Sequence, residues 1–413
     1  MGTPGKRLYD RSSGMISLDD VRDARGRLSG IIRPTPVVHS SSLSHRAGRP
    51  VILKPEHLQR TGSFKVRGAY NFVSRLPDDT VEVVAGSAGN HAQGVALAAS
   101  LTGHRSTIFM PTNAPLPKIE ATRAYGATIR LEDGAVDNAL AAAHRYAEEQ
   151  GGAYIPPFDH PLVIAGQGTI GLELADEAPD AEVVVVAIGG GGLISGIATA
   201  LAHTRPGVKV VGVEAAGAAA VRASLEAGRL VCLDAVATMA DGIAAKSPSE
   251  LTLAHIRAHV HDVVTVTEEE ISRAVLLLLE RAKAVVEPAG AVSLAAVLAG
   301  KVPGSGPVVT VLSGGNVDPL LLIKLIDHGL TAAGRYLMLR IVLDDRPGAL
   351  AGVTQALATM GLNVLSVEHH RSGVALPLDR VEVLVTLETR DPEHRDEVLR
   401  ALRADGYDVT SPN

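Results

Sequence analysis

Tryptophan is absent from these 413 residues, cysteine occurs once, and aromatic residues make up only 3%. A core so poor in rings has to be assembled from Ala, Val, Leu and Ile, and a hydrophobic share of 46% supplies them. The single cysteine, Cys232, excludes an internal disulfide and a multi-thiolate metal site, which leaves a buried structural thiol as its expected role. No apolar run reaches the length of a bilayer span. The opening "MGTPGKRLYDRSSG" carries charge without the apolar stretch of a secretory leader. Neither sign of charge dominates: the net charge is −6 and the isoelectric point about 6.2, which offers little to nucleic acid or an anionic membrane. The chain reads as cytoplasmic, with no membrane or nucleic-acid partner.

Glycine is abundant, with 42 residues, and it punctuates short aliphatic runs. Between residues 81 and 315 the stretches "VEVVAGSAGN", "STIFMPT", "ATIRLE", "AEVVVVAIGGGG", "VKVVGVE" and "PVVTVLSGGN" alternate with longer segments of helical period. Continuous β-branched runs predict strands buried on both faces, an α/β fold with an open parallel sheet and helical crossovers. Gly and Asn gather where these strands end, the place where open α/β sheets bind ligands. The pattern resets around residues 328–336. Beyond it the chain reads as βαββαβ, a small ferredoxin-like α+β unit. Leu350, Val353, Leu357 and Met360 line one face of a helix that Pro347 starts and Gly361 ends. Val381, Val383, Val385 and Leu387 share one side of a strand, with Leu384 on the other. Both faces of that sheet are therefore expected to be partly apolar, with the open face or edge covered by another subunit. The predicted domains are residues 1–330 and residues 337–413.

Four stretches carry chemistry. In "TGSFKVRGAY", Lys65 sits between Phe64 and Val66. Either it snorkels its ammonium to solvent, or it is desolvated, loses its proton easily and condenses with a carbonyl. "AEVVVVAIGGGGLISG" runs a strand into Gly189, Gly190, Gly191 and Gly192 and then a helix from near Leu193. Successive N–H groups and the positive helix end make a phosphate cradle, the alternative being a merely flexible loop. No Gly-Lys-Ser/Thr follows as in a P-loop, and the dinucleotide fingerprint does not fit. In "GSAGNHAQGVALAA" a turn of Ser87, Ala88, Gly89, Asn90 and His91 precedes a helix whose first N–H groups suit a carboxylate, with plain N-capping as the ordinary alternative. "VLSGGNVD" ends a strand on Ser313, by itself an unremarkable turn residue. Pyridoxal 5'-phosphate, a phosphorylated cofactor that condenses with lysine, accounts for all four together.

The motifs "SFKVRGA", "SAGNHAQG", "AGQGT" (165–169), "GGGGL", "EPAGA" (287–291) and "LSGGN" follow one another in a family's order and rough spacing. Over nearly its whole length the chain resembles the threonine dehydratases (threonine ammonia-lyases) of the tryptophan-synthase-β-like, fold-type-II pyridoxal phosphate enzymes. Its βαββαβ unit resembles an ACT domain. The resemblance implies a two-subdomain catalytic domain followed by a regulatory one. By the same resemblance Lys65, beside Phe64, binds the cofactor covalently and then acts as base at Cα. Asn90 bonds the cofactor's 3′-oxygen, Gly189 through Gly192 with Leu193 bind its phosphate, and Ser313 faces the ring nitrogen. Ser87, Ala88, Gly89, Asn90 and His91 hold the substrate carboxylate, Ser87 counting among the catalytic groups, while Gly242 and Glu287 line the site. A hydroxyl opposite the ring nitrogen holds no proton there, which favours expulsion of a β-leaving group over transamination.

The implied reaction takes L-threonine to 2-oxobutanoate and ammonia, and L-serine to pyruvate beside it. A serine racemase or a hydroxyaspartate ammonia-lyase remains as an alternative, and so does a non-catalytic amino-acid sensor, against which the intact Lys65 argues. Ala88 stands where racemases of the family carry serine. Some relatives bind a divalent cation through acids after "GVE". Here Glu214 is kept but Ala220 stands where a second acid belongs, so no metal is expected. The ACT-like unit implies an amino-acid effector, isoleucine or valine. Its carboxylate would sit at the helix after "LDDRPGAL" and its ammonium near Asn363. A homo-oligomer (tetramer or dimer) and a place in amino-acid metabolism, isoleucine biosynthesis included, complete the expectation.

Overall fold

The computed structural model describes residues 14–371 and 376–411. The reading of the first thirteen residues as free of a leader falls outside that range. The chain divides into two compact units, Met1–Leu321 and Leu322–Asn413.

The first unit opens with α1 (Leu18–Leu28), β1 (Val38–His39), α2 (Ser41–Ala47), β2 (Val51–Lys54) and α3 (Lys65–Val73). A smaller lobe follows: β3 (Glu82–Gly86), α4 (Asn90–Thr102), β4 (Arg105–Pro111), α5 (Leu116–Ala124), β5 (Thr128–Glu132), α6 (Val136–Gln150) and β6 (Ala153–Tyr154). The chain then returns to the larger lobe through α7 (Pro161–Glu177), β7 (Val183–Ala187), α8 (Gly192–Thr204), β8 (Lys209–Ala215) and α9 (Ala220–Ala227). That lobe ends with α10 (Glu250–His259), β9 (Asp262–Val266), α11 (Glu268–Leu277), α12 (Pro288–Leu298), β10 (Val308–Val311) and α13 (Pro319–Ala332), the last running across the division between the units. Capping boxes at Ser17, Ser249 and Thr267 start α1, α10 and α11, and left-handed glycines such as Gly103 and Gly151 stop α4 and α6.

The larger sheet has the order β1-β2-β10-β7-β8-β9, parallel apart from the antiparallel β1. The smaller is all parallel, β5-β4-β3-β6. The α/β parallel-sheet expectation holds, and every residue of β2 and β7 is buried. It fails in detail for "ATIRLE": β5 is an edge strand and its residues are exposed or half-buried, because only β4 pairs with it. Cys232 is exposed, which corrects its reading as a buried thiol; it lies in the irregular segment after α9, outside any core element.

The spacing of the site elements is set by α7. A Cβ on its Gly166 would meet the Arg67 carbonyl oxygen of α3 at 2.6 Å, and one on Gly168 the Gly196 carbonyl oxygen of α8 at 2.9 Å. The glycines of "AGQGT" thus let α3 and α8 pack onto α7 backbone to backbone. Beneath this layer the fully buried Arg67 bonds both Glu56 (Nη2–Oε1 2.7 Å) and Glu173 (Nη1–Oε1 2.6 Å), and Lys54 bonds Glu173 and Glu177. Burial opposes the guanidinium charge, but the two carboxylates outweigh it and hold the charge more firmly than usual.

The second unit is βαββαβ, as the periodicity predicts: β11 (Tyr336–Asp344), α14 (Ala349–Thr359), β12 (Asn363–His370), β13 (Arg380–Glu388), α15 (Pro392–Ala404) and β14 (Asp408–Thr410). Its antiparallel sheet has the order β12-β13-β11-β14. Val381, Val383, Val385 and Leu387 are buried with Val353 and Leu357 in one core. On the opposite side of the sheet Met338 is exposed and Leu384 half-buried, beside an Arg340–Glu382 ion pair, so that face is only partly apolar.

Candidate active site

The fifteen residues that the sequence analysis assigns to the site, from Phe64 to Ser313, line one cavity of about 640 Å³. Both lobes contribute, through the C-terminal ends of β3, β7 and β10 and the starts of α4 and α8.

Lys65 begins α3, and its Nζ donates to the Pro157 carbonyl oxygen at 2.9 Å. Its side chain is half-buried, and the accessible part faces the cavity. Burial pushes the amine down to about 8, against the opposing pull of Glu287. A positive helix end acts in the same sense. The amine thus faces the cavity, beside the Pro157 carbonyl, and not the outer surface.

Each glycine of the tetrad has its own reason. A Cβ on Gly189 would meet Ile243 Cα at 3.0 Å, and one on Gly190 would run into the Phe158 ring. Gly191 has φ +93°, and a Cβ on Gly192 would meet Phe158 Cβ at 2.9 Å. Protein therefore packs against the Cα atoms of this loop. At Gly192 α8 opens without a side-chain cap, which leaves its first-turn N–H groups for an anion. A flexible loop would show no such packing. α4 also opens without a side-chain cap, at Asn90, into the same cavity.

In that second loop Ser87 Oγ accepts the Gly89 N–H at 3.1 Å and shapes the turn. His91 is buried, with Nε2 2.9 Å from the Ile155 carbonyl oxygen. Burial first, and Lys65 second, push its ring down to about 3, so it is neutral and its side chain is committed to the backbone. What His91 leaves toward the cavity is its main-chain N–H, in the uncapped first turn of α4. Asn90 Nδ2 lies 2.5 Å from Glu287 Oε1, and burial with nearby Asp241 pushes that carboxyl up to about 7. Ser313 is buried with Oγ 3.4 Å from the Ala289 carbonyl oxygen, and its own carbonyl accepts the Phe64 N–H at 3.1 Å. Gly242 lies beside Ala289 and Glu287.

Sequence reasoning missed several neighbours. Pro157 and Phe158, in "PPFDHP", contact Lys65 and the tetrad. Two ion pairs at the cavity rim join the smaller lobe to the segment 241–246, Lys118–Asp241 at 2.5 Å and Lys246–Asp137 at 2.9 Å. Asn316 bonds Asn90 and was legible only as the last letter of "LSGGN". Glu214 spends both carboxylate oxygens on the N–H groups of Val221 and Arg222, capping α9, and burial pushes it up to about 7. Among the described residues no group of three or more His, Cys, Asp or Glu is arranged to hold a metal.

A phosphate cradle and a desolvated lysine facing one cavity fit pyridoxal phosphate, and comparison with known proteins agrees. Residues 28–314 match the family model described as pyridoxal-phosphate dependent enzyme, and residues 337–405 match that of the ACT domain. The chain belongs to the pyridoxal-phosphate dependent enzyme family. It is 48% identical over 396 residues to an L-threonine ammonia-lyase of Geobacter sulfurreducens, covering 95% of this chain and 98% of the relative. Among solved structures it is similar to a threonine deaminase from T.th., with 42% identity, a TM-score of 0.70, and coverage of 73% of this chain and 99% of that one. It is also similar to maize serine racemase, with 35% identity, a TM-score of 0.71, and coverage of 77% and 99%.

Proposed function

We propose that the protein is an L-threonine ammonia-lyase, converting L-threonine to 2-oxobutanoate and ammonia and L-serine to pyruvate. The observation that carries this reading is the placement of Lys65, Asn90, the glycine tetrad and Ser313 around one cavity, in a chain that matches a lyase of this name over 95% of its length. When bound, the cofactor supplies the electron sink that makes the substrate Cα–H acidic.

The chain's own residues do the rest. Lys65 is neutral enough near pH 8 to bind the cofactor and then remove the Cα proton. Gly189 to Leu193 hold the phosphate, and Asn90 presents its amide to the 3′-oxygen. The start of α4, shaped by Ser87, holds the substrate carboxylate. Ser313 gives the ring nitrogen a hydroxyl and no charged acid, so expulsion of the β-hydroxyl is favoured. Ala88 supplies no proton donor to a face of the substrate, which ranks a racemase below the lyase despite the maize likeness.

In this reading residues 1–330 are catalytic and 337–413 regulatory, with isoleucine or valine bound near α14 and Asn363 in a cytoplasmic homo-oligomer of isoleucine biosynthesis. The test is a keto-acid assay on the purified, cofactor-loaded protein with L-threonine, L-serine and hydroxyaspartate, alongside Lys65→Ala. Threonine turnover that falls by many orders of magnitude in the variant is expected. A Lys65→Ala protein of comparable rate, or D-serine accumulating as fast as pyruvate, refutes it.

A further inference from the structure

An amide helps an anionic ligand oxygen only if its nitrogen is turned toward it. Asn90 has two neighbours that bear on this direction. Glu287 Oε1, 2.5 Å from Asn90 Nδ2, is one. A carboxyl that burial brings near half-protonation accepts or donates equally well, so Glu287 does not decide which end of the amide it meets.

Asn316 decides. Its Nδ2 lies 2.7 Å from the Thr61 carbonyl oxygen and 2.7 Å from Asn90 Oδ1. A backbone carbonyl only accepts, so the end of Asn316 that touches it is the nitrogen. The second hydrogen of that nitrogen then requires an acceptor on Asn90, its Oδ1. Turning Asn90 round would set two donor nitrogens 2.7 Å apart with nothing to accept, at the loss of a hydrogen bond. Gly62 makes room for the arrangement: its φ is +70°, and a Cβ there would run into the Asn316 amide.

We propose that Asn316 is a positioning residue that, anchored on the Thr61 carbonyl, fixes the direction of the Asn90 amide so that its nitrogen is presented to the cofactor's 3′-oxygen. This rests on the placement of Asn90 beside that oxygen. The full-length, cofactor-loaded enzyme tests it through the absorbance spectrum, its pH dependence and the Kd for pyridoxal phosphate. These are compared in wild type, Asn90→Ala, Asn316→Asp and the double variant. Asn316→Asp offers only acceptors, so it draws the Asn90 nitrogen toward itself and turns the oxygen to the cofactor. Cofactor binding weakens about tenfold or more, with a spectral change in the direction of Asn90→Ala. In the Asn90→Ala background, Asn316→Asp adds less than about twofold, because the group it acts through is gone. An unperturbed Asn316→Asp beside a perturbed Asn90→Ala overturns this inference alone, as do effects that add in full. An unperturbed Asn90→Ala overturns the placement of Asn90 and this inference with it. If the variants do not fold, neutron diffraction on wild-type crystals answers instead. Deuterons on the Asn90 atom facing Glu287 support the lock, and deuterons on the atom facing Asn316 refute it.

Discussion

Lys65 shows how position converts an ordinary side chain into a reactive one. Its neighbours in the sequence suggest shielding, but the agent is distant: burial within the walls of the cavity, which prevails over the opposing pull of Glu287. An amine with its midpoint at about 8, against a usual 10.5, is charged below that pH and neutral above it. The rate of covalent cofactor attachment to the unloaded protein is therefore expected to rise with pH and level off above about 8. Stopped-flow absorbance from roughly pH 6.5 to about pH 10 checks it, and a rate still climbing at about pH 10 would mean a solvated lysine. His91 gives the contrary lesson. A loop histidine reads as a polar contact, yet its ring is locked on Ile155. Chain order carries the motif, while tertiary contacts decide which atom of a motif residue is free.

Among the elements, α8 was the most legible, because a glycine loop between a valine run and a helix is costly to order without a use. What the glycines approach could not be read. The Phe158 ring against Gly190 comes from "PPFDHP", well upstream in the chain, with no periodic signal of its own. Gly190→Ala is expected to weaken pyridoxal phosphate binding by about tenfold or more, as the displaced ring or loop spoils the cradle. Phe158→Ala in the same chain should restore part of it, measured as Kd; a double variant no better than Gly190→Ala would show the clash to be irrelevant. β2 went unnoticed because a four-residue strand ahead of the main alternation gives little pattern, and β9 was passed over within it. The Arg67 network was equally silent, since a single arginine in "SFKVRGA" gives no sign in the sequence of its distant carboxylate partners. Arg67→Met leaves the fully buried Glu56 without its cation and Glu173 with Lys54 alone, and should cost about 3–5 kcal/mol in urea denaturation. The exposed pair Arg22–Asp19 provides the contrast: Arg22→Ala should change stability by less than about 1 kcal/mol. Equal effects of the two variants would remove the network from any account of stability.

For the whole molecule, the two-unit organisation was legible because hydrophobic periodicity changes from buried parallel runs to strict alternation. The exact division was not. α13 continues to Ala332, past the predicted end of the first domain, and contacts divide the chain at Leu321. If the second unit binds an effector that alters threonine turnover, linkage requires threonine binding to alter the effector's affinity by the same factor. Calorimetry of isoleucine and valine binding to the full chain, and to one ending after Gly334, is expected to give heat only with the former. No heat from either would leave the second unit without an amino-acid effector.

The larger sheet has one more consequence, in time instead of space. β10 lies between β2 and β7, so one of the first strands to leave the ribosome waits for one of the last before it has a parallel partner. The smaller lobe, contiguous from Glu82 to Tyr154, has all its strands long before then. A nascent chain thus carries a complete small lobe on an open large one, with the inner edges of β2 and β7 bare. Lys65 is translated early, but Ser313 is not beside Phe64 until β10 has inserted. A chain stalled before Val308 lacks Ser313 and offers chaperones and proteases the bare inner edges of β2 and β7.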